Sequence, residues 1–509
     1  MSDDRTWGVL TSQSDEDALR NHITGTGDEF HADVAAREIH WQHPSCGAWL
    51  AREDGNDWVG WDSRGEATGI EADCWTPWQS VLDESAAPYY KWFTGGQTNA
   101  CFNLVDRHLL LGRADKTAII FEGDRWDPSK NNGRGGPVTE QHFSYRKVFE
   151  EIIARMQVLR DLGLNKGDRI AFNLPNIPEQ IFYMLAAQRM GVVYTPVFGG
   201  FSAKTLSDRI HDAGAKLVIT ADGGYRNAEV VGYKGTYADP ALDNYIPRET
   251  ALATLKAVLA TYDLGDLADT LYSDVNSALA GEITLERSDV MRELGASLAS
   301  QNAIAPELTA ELRTAVARQL ADAKHNVENV IVVEYTGQEV VEHARDSWSN
   351  DLVASAKATI AKHLGVTDFE TLSSEEPAAL WAKLNAVLPV ESVDSNFPLF
   401  IIYTSGSTGK PKGVVHTHGS WLSGVSHTMH TVFNATEDDT LYVIGDPGWI
   451  TGQSYLIAAP LVQGMTTVIA EGSPLFPHAG RFSSIIERYK VTLFKAGSTF
   501  LKAVMTDPA

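Results

Sequence analysis

A doubly wound α/β sheet is the fold class this sequence predicts, and three observations predict it. Short runs rich in β-branched and aromatic residues alternate with longer amphipathic runs from Asn103 onward, divided by Gly, Pro and Asp. That rhythm lapses twice into stretches of helix formers and resumes each time. A Gly/Ser/Thr/Lys run, Tyr403 to Gly413, stands between two apolar β-rich segments, as a tight loop between strands does.

Residues 1–85 read as a tryptophan-rich, acidic N-terminal extension with Trp41, Trp49, Trp58, Trp61, Trp75 and Trp78. Such rings pack a segment onto a larger body more readily than they build a ligand cage. Residues 86–244 read as the first part of the core. Leu104 to Leu111 is helical in pattern and Thr117 to Phe121 a strand closed by Gly123-Asp124. Val148, Ile152, Met156 and Leu159 stripe a helix that ends at Gly163, and Arg169 to Leu174 is a strand. Pro178 to Met190 follows as a helix, Val192 to Val197 as a strand, Ala203 to Ala213 as a helix and Lys216 to Thr220 as a strand.

Residues 245–325 read as a helical insertion, because Leu308, Leu312, Val316 and Leu320 stripe one helix face after Pro306 and strand formers are few. No cluster of catalytic-type residues sits in it. Residues 326–509 continue the core. Asn329 to Val333 is a strand, and a second helical stretch runs from about Asp351 to Leu388. The Tyr403–Gly413 loop is flanked by strands. Gly419 to Asn434 is then a helix and Thr440 to Ile444 a strand, followed by the turn-forming segment Gly445 to Gly452. Thr466 to Ile469 and Val491 to Phe494 are strands around a helix from Gly480 to Tyr489.

Composition removes several function classes. Of 509 residues 43% are apolar and 21% charged, as in an ordinary globular protein. The net charge of −24 repels a nucleic-acid backbone and an anionic membrane surface alike. Cys46, Cys74 and Cys101 have no metal-ligand spacing, and so few thiols fit a reducing compartment. The first residues hold no apolar leader and no window approaches a membrane span. The expectation is a cytoplasmic protein with no metal site of its own.

The loop carries the chemistry. Small hydroxyls, exposed N–H groups and two lysines are what an anionic phosphate chain needs, and glycine lets the backbone approach it. The candidate phosphate-binding residues are Thr404, Ser405, Gly406, Ser407, Thr408, Gly409, Lys410 and Lys412. It is not a Walker loop: only two residues separate Gly406 from Gly409, and Pro411, which lacks an N–H, follows Lys410.

This run resembles the signature phosphate loop of the adenylate-forming superfamily, the acyl-CoA synthetases, luciferases and peptide-synthetase adenylation domains. Four further stretches are similar to its acetyl-CoA synthetase-like branch: His108–Asp124, Val197–Ser202, Leu217–Asp222 and Gly448–Tyr455. The resemblance covers most of residues 86–244 and 326–509, with the motifs in the family's order. Bearing extra helices, the chain looks most like the ligase portion of the propionyl-CoA synthase fusion enzymes, which activate 3-hydroxypropionate. The resemblance implies a truncated adenylate-forming N-terminal core with a helical insertion. It implies an AMP-forming acyl-CoA synthetase, an acid–thiol ligase that uses ATP, Mg2+ and coenzyme A on 3-hydroxypropionate, propionate or acetate.

By resemblance the loop would hold the β- and γ-phosphates. Trp449, Ile450 and Thr451 would line the acyl pocket, where the large Trp449 ring favours a small acid; a core tryptophan at a strand end is the competing reading. Gly199, Gly200, Arg226 and Thr451 would meet coenzyme A, with Arg226 on a phosphate of its nucleotide. Glu229 stands where the family has a second arginine, and Leu475 where it has an asparagine near the CoA adenine, which puts the usual nucleotide grip in doubt. His416 and His418, two apart on a strand, are read as structural. The family continues past the point matching Ala509 with the rest of the core and a mobile C-terminal subdomain that brings the catalytic lysine. The expectation is therefore that no catalytic residue lies in these residues and that alone they are inactive. Partners expected are a small carboxylic acid and further catalytic domains on the same parent chain, a homo-oligomer being left open. An adenylation domain that passes its acyl group to a carrier protein and a non-catalytic assembly module are the competing functions.

Overall fold

The computed structural model describes residues 12–53, 57–71, 74–301, 304–323, 327–404 and 411–506. Among them, seven strands form one sheet in the order Asp346–Trp348, Asn329–Val333, Leu217–Ala221, Arg169–Asn173, Val193–Pro196, Pro398–Thr404, Lys412–Thr417. All neighbours are parallel except the last pair, an antiparallel hairpin. Five strands form a second sheet, Glu140–Ser144, Thr117–Glu122, Thr466–Ala470, Thr440–Val443, Leu493–Lys495, antiparallel only at its first pair.

Local chemistry explains the elements between them. The Ser144 hydroxyl caps Tyr145–Asp161 by accepting the Lys147 N–H, and the Ser202 hydroxyl caps Ala203–Asp212 by accepting the Thr205 N–H. Pro178 opens Pro178–Met190, and Gly191 at φ +67 closes it. This last helix is buried nearly all round, and one apolar core joins Ile181 and Leu185 to Ile170 and Ile219 of the larger sheet and Ile119 and Ile469 of the smaller. Inside that core Arg189 and Asp106 are both fully buried. The carboxylate takes Arg189 Nη2 at 2.9 Å, Nε at 3.0 Å and the Trp381 indole N–H at 2.8 Å.

Residues 13–70 hold elements that the sequence did not suggest: a helix, Gln13–Glu38, and four short antiparallel strands from Trp41 to Ile70. Trp41, Trp49 and Trp58 are buried, and Trp49 stacks on Phe102 with centroids 4.2 Å apart. Trp61, Trp75 and Trp78 are half-buried and pack against the same core.

Helices Arg248–Leu259, Asp266–Ala278, Arg287–Ser300 and Pro306–Ala321 bury Leu255, Leu271, Val290, Leu294, Leu312, Val316 and Leu320 in a separate core. A strand pair unexpected from the sequence, Tyr245–Pro247 with Thr284–Glu286, ties this block off. It docks on Ala203–Asp212, where Asp208 takes the Thr284 N–H at 3.0 Å and hydroxyl at 2.5 Å. No helix among the described residues is long and apolar enough to cross a membrane.

Candidate active site

Parallel strands leave their carboxyl ends on one edge, where ligands of open α/β sheets collect. Here the edges of both sheets border one cleft of about 620 Å³. Pro175 and Asn176 follow Arg169–Asn173, Phe198 to Gly200 follow Val193–Pro196, and Gly224 to Arg226 follow Leu217–Ala221. From the smaller sheet come Ile444 to Asp446 and Trp449 after Thr440–Val443, and Glu471 to Pro474 after Thr466–Ala470.

Close approach dictates the glycines. A Cβ on Gly199 would strike the Tyr233 hydroxyl, and one on Gly448 would lie 2.6 Å from the Phe198 nitrogen. The segment Asp446–Gly452 thus rests directly on the loop holding Gly199 and Gly200. Asp446 accepts the Gly448 N–H at 2.7 Å, and burial pushes its carboxyl up to about 6. Trp449 leans on Phe198 and Phe201, with centroids 5.9 and 5.7 Å away, and remains 45% exposed.

The cleft therefore brings together Gly199, Gly200, Arg226 and Trp449. Ile450 and Thr451 stand beside it, exposed, where a helical run begins, and are not among its lining residues. Thr404 and Lys412 face each other across the mouth of the Pro398–Thr404/Lys412–Thr417 hairpin. The parallel register Tyr194↔Phe400 puts that mouth on the same sheet edge as Gly199. Tyr403 donates its hydroxyl to Asp212 at 2.6 Å and lies under the Arg209 guanidinium, which also covers Phe201 at 4.4 Å. Ser405, Gly406, Ser407, Thr408, Gly409 and Lys410 lie outside the described residues.

The sequence missed two buried carboxylates at the strand ends, Asp222 and, lining the cleft, Glu471. Asp222 accepts five backbone N–H groups, from Gly223, Tyr335, Thr336, Gly337 and Gln338. Glu471 accepts the Tyr335 hydroxyl at 2.6 Å, the Tyr225 N–H at 2.7 Å and the Asp124 N–H at 3.1 Å; even so, burial pushes it up to about 7. Each stands immediately past an observed strand and two residues past the predicted one, and that position was the available signal. The histidine reading needs a correction. His418 does not share a strand face with His416 but opens the helix His418–Thr431, where its buried Nδ1 accepts the Ala100 N–H at 3.0 Å and burial pushes it down to about 3. His416 stacks on Phe400.

Among the described residues one group has metal-ligand spacing: Asp239, Asp243 and His343 bring ligand atoms within 4.8 Å of one another. Lys234 and Arg345 already pair with those carboxylates at 2.7–3.3 Å, so their charge is offset by protein cations.

A two-sheet α/β core with a ligand cleft at shared strand ends is the framework of an adenylate-forming enzyme, and residues 111–509 match the family model described as AMP-binding enzyme. The chain belongs to that family. Residues 64–104 match a second model, acetyl-coenzyme A synthetase N-terminus. Among curated proteins it is similar to acetyl-coenzyme A synthetases of Streptomyces avermitilis (33% identity over 84% of this chain and 47% of the relative), Pyrobaculum arsenaticum (32%, 86% and 50%) and Gemmatimonas aurantiaca (32%, 94% and 54%). The chain spans about half the length of these relatives.

Proposed function

We propose that the protein is an AMP-forming acyl-CoA synthetase for a short-chain carboxylic acid, and that these residues carry its thiol cleft and phosphate loop. The acid's carboxylate attacks the α-phosphorus of ATP, pyrophosphate leaves, and a thiol then displaces AMP from the acyl-adenylate. Such chemistry depends on placement and charge neutralisation more than on covalent catalysis by the protein. ATP arrives with its own Mg2+. Thr404, Lys412 and the residues between them neutralise the departing pyrophosphate; Gly199, Gly200 and Arg226 receive coenzyme A, and Trp449, Ile450 and Thr451 bound the acyl group.

One observation carries the reading: the hairpin mouth at Thr404/Lys412, the Gly199-Gly200 loop and the Arg226 hairpin leave the same edge of the seven-stranded sheet, and Trp449 comes to the cleft from the smaller sheet. The Trp449–Phe198–Phe201 cluster supports a short acyl chain, with 3-hydroxypropionate, propionate and acetate as substrates and a place at the head of a multifunctional propionyl-CoA synthase as the narrowest form of the proposal. A carrier-protein thiol is the second reading. It is favoured by Glu229, which pairs across the hairpin from Arg226 and lowers the positive charge there.

The test is AMP release by the complete protein with ATP, each acid and either coenzyme A or a phosphopantetheinylated carrier. Release that requires a short acid and coenzyme A supports the proposal. Release with the carrier alone moves it to the second reading, and none with any acid overturns it.

A further inference from the structure

The hairpin Gly223–Arg226/Glu229–Gly232 pairs with itself, Gly223 to Gly232 and Arg226 to Glu229, but its placement is decided from outside. Two carboxylates at strand ends of the smaller sheet reach across to its backbone. Glu471, buried just past Thr466–Ala470, takes the Tyr225 N–H on Oε1 at 2.7 Å, while its Oε2 takes the Asp124 N–H at 3.1 Å and the Tyr335 hydroxyl at 2.6 Å. Asp124, buried just past Thr117–Glu122, takes the Ala228 N–H on Oδ2 at 2.7 Å, and Arg481 faces its Oδ1 at 3.4 Å. The two-residue turn they hold puts Asn227 and Ala228 at φ +55 and +63, a left-handed conformation that costs Ala228 about 1–2 kcal/mol. Arg226 stands between the two anchored amides. It is exposed, and no ion pair or hydrogen bond orients its guanidinium among the described residues, so its backbone alone sets the region the guanidinium can reach.

We propose that Glu471 and Asp124 are positioning residues for the thiol acceptor. By pinning the N–H groups on either side of Arg226 to the second sheet, they fix where its guanidinium stands at the cleft and so set recognition of the acceptor's phosphate. The proposal rests on the reading of this cleft as the acceptor's site. It assigns to both carboxylates a role exerted through Arg226 rather than by contact with substrate. Glu471 has N–H donors on opposite oxygens, so a carboxamide, with one acceptor oxygen, can serve only one of them.

In the complete protein E471Q raises the KM for coenzyme A about tenfold, well beyond any change in the KM for ATP, because a small displacement of a phosphate-binding cation is costly. In an R226A background E471Q adds nothing further, as expected of residues acting as one unit. Hydrogen exchange of residues 223–232 is faster in E471Q than in the wild type, a readout independent of turnover; D124A, which removes the acceptor of the Ala228 N–H, gives the same pattern. Additive effects of E471Q and R226A, equal changes in both KM values, or unchanged exchange in the hairpin overturn the proposal. A wild type that releases no AMP with coenzyme A, while E471Q still loosens the hairpin, overturns the reading of the cleft and leaves the anchoring in place.

Discussion

The cleft-bearing core and the helical block at 248–321 are both well packed, yet they spend buried polar groups in opposite ways. The block's core is mainly leucine, valine and alanine, and its charged residues, such as exposed Arg292 with half-buried Asp289 and Glu293, stay outside it. The sheet core buries Asp106, Asp124, Asp222 and Glu471, each accepting hydrogen bonds from elements distant in sequence. Burying a carboxylate costs more than burying a leucine, so one that persists under a cleft marks where position matters more than stability.

Substitutions can break or sharpen that contrast. The largest effect is expected from Asp106→Ala, which strands the fully buried Arg189 and should cost about 3–5 kcal/mol in urea unfolding. Leu312→Ala, in the block's core, should cost about 2–5 kcal/mol by leaving a cavity, while the KM for coenzyme A stays unchanged. A shift in that KM would mean that the block reaches the cleft through Ala203–Asp212. Gly199→Ala should change stability less but raise the KM for coenzyme A about tenfold, because its Cβ displaces Tyr233 from the cleft wall.

A pH dependence tests one of these carboxylates by titration. Glu471 is raised by burial to about 7 from an ordinary 4.5. A carboxyl raised on folding contributes stability that is present below its unfolded pKa and lost as pH rises through the folded one. The wild type should therefore lose stability relative to E471Q between about pH 4.5 and 7. The KM for coenzyme A should fall as pH rises through about 7, where the folded carboxyl ionises and gains its second acceptor oxygen. A Tm difference between the two proteins that is constant with pH would refute the assignment.

The contrast also explains what the sequence could and could not reveal. Pro178–Met190 and Asn329–Val333 were legible to the residue, because Pro178, Gly191 and the β-branched run Val330 to Val333 all act locally. The strands of the N-terminal sheet, two to four residues long, carry no periodicity to detect. The Arg226 hairpin was invisible for a different reason: Asp124 and Glu471, which hold its left-handed turn, are about 100 and 250 residues away in sequence. For the site, Gly199, Gly200, Arg226 and Trp449 were legible as motif residues and meet in one cleft, whereas the carboxylates beneath them are legible only in three dimensions.

The central claim is that Arg226, Gly199 and Gly200 face an acyl-accepting thiol at the shared strand ends. Steady-state kinetics of Arg226→Ala in the complete protein, at saturating ATP and propionate, test it most directly. A KM for coenzyme A raised about tenfold or more, as loss of a charge-assisted phosphate contact requires, is the predicted result. An unchanged KM for coenzyme A would contradict it.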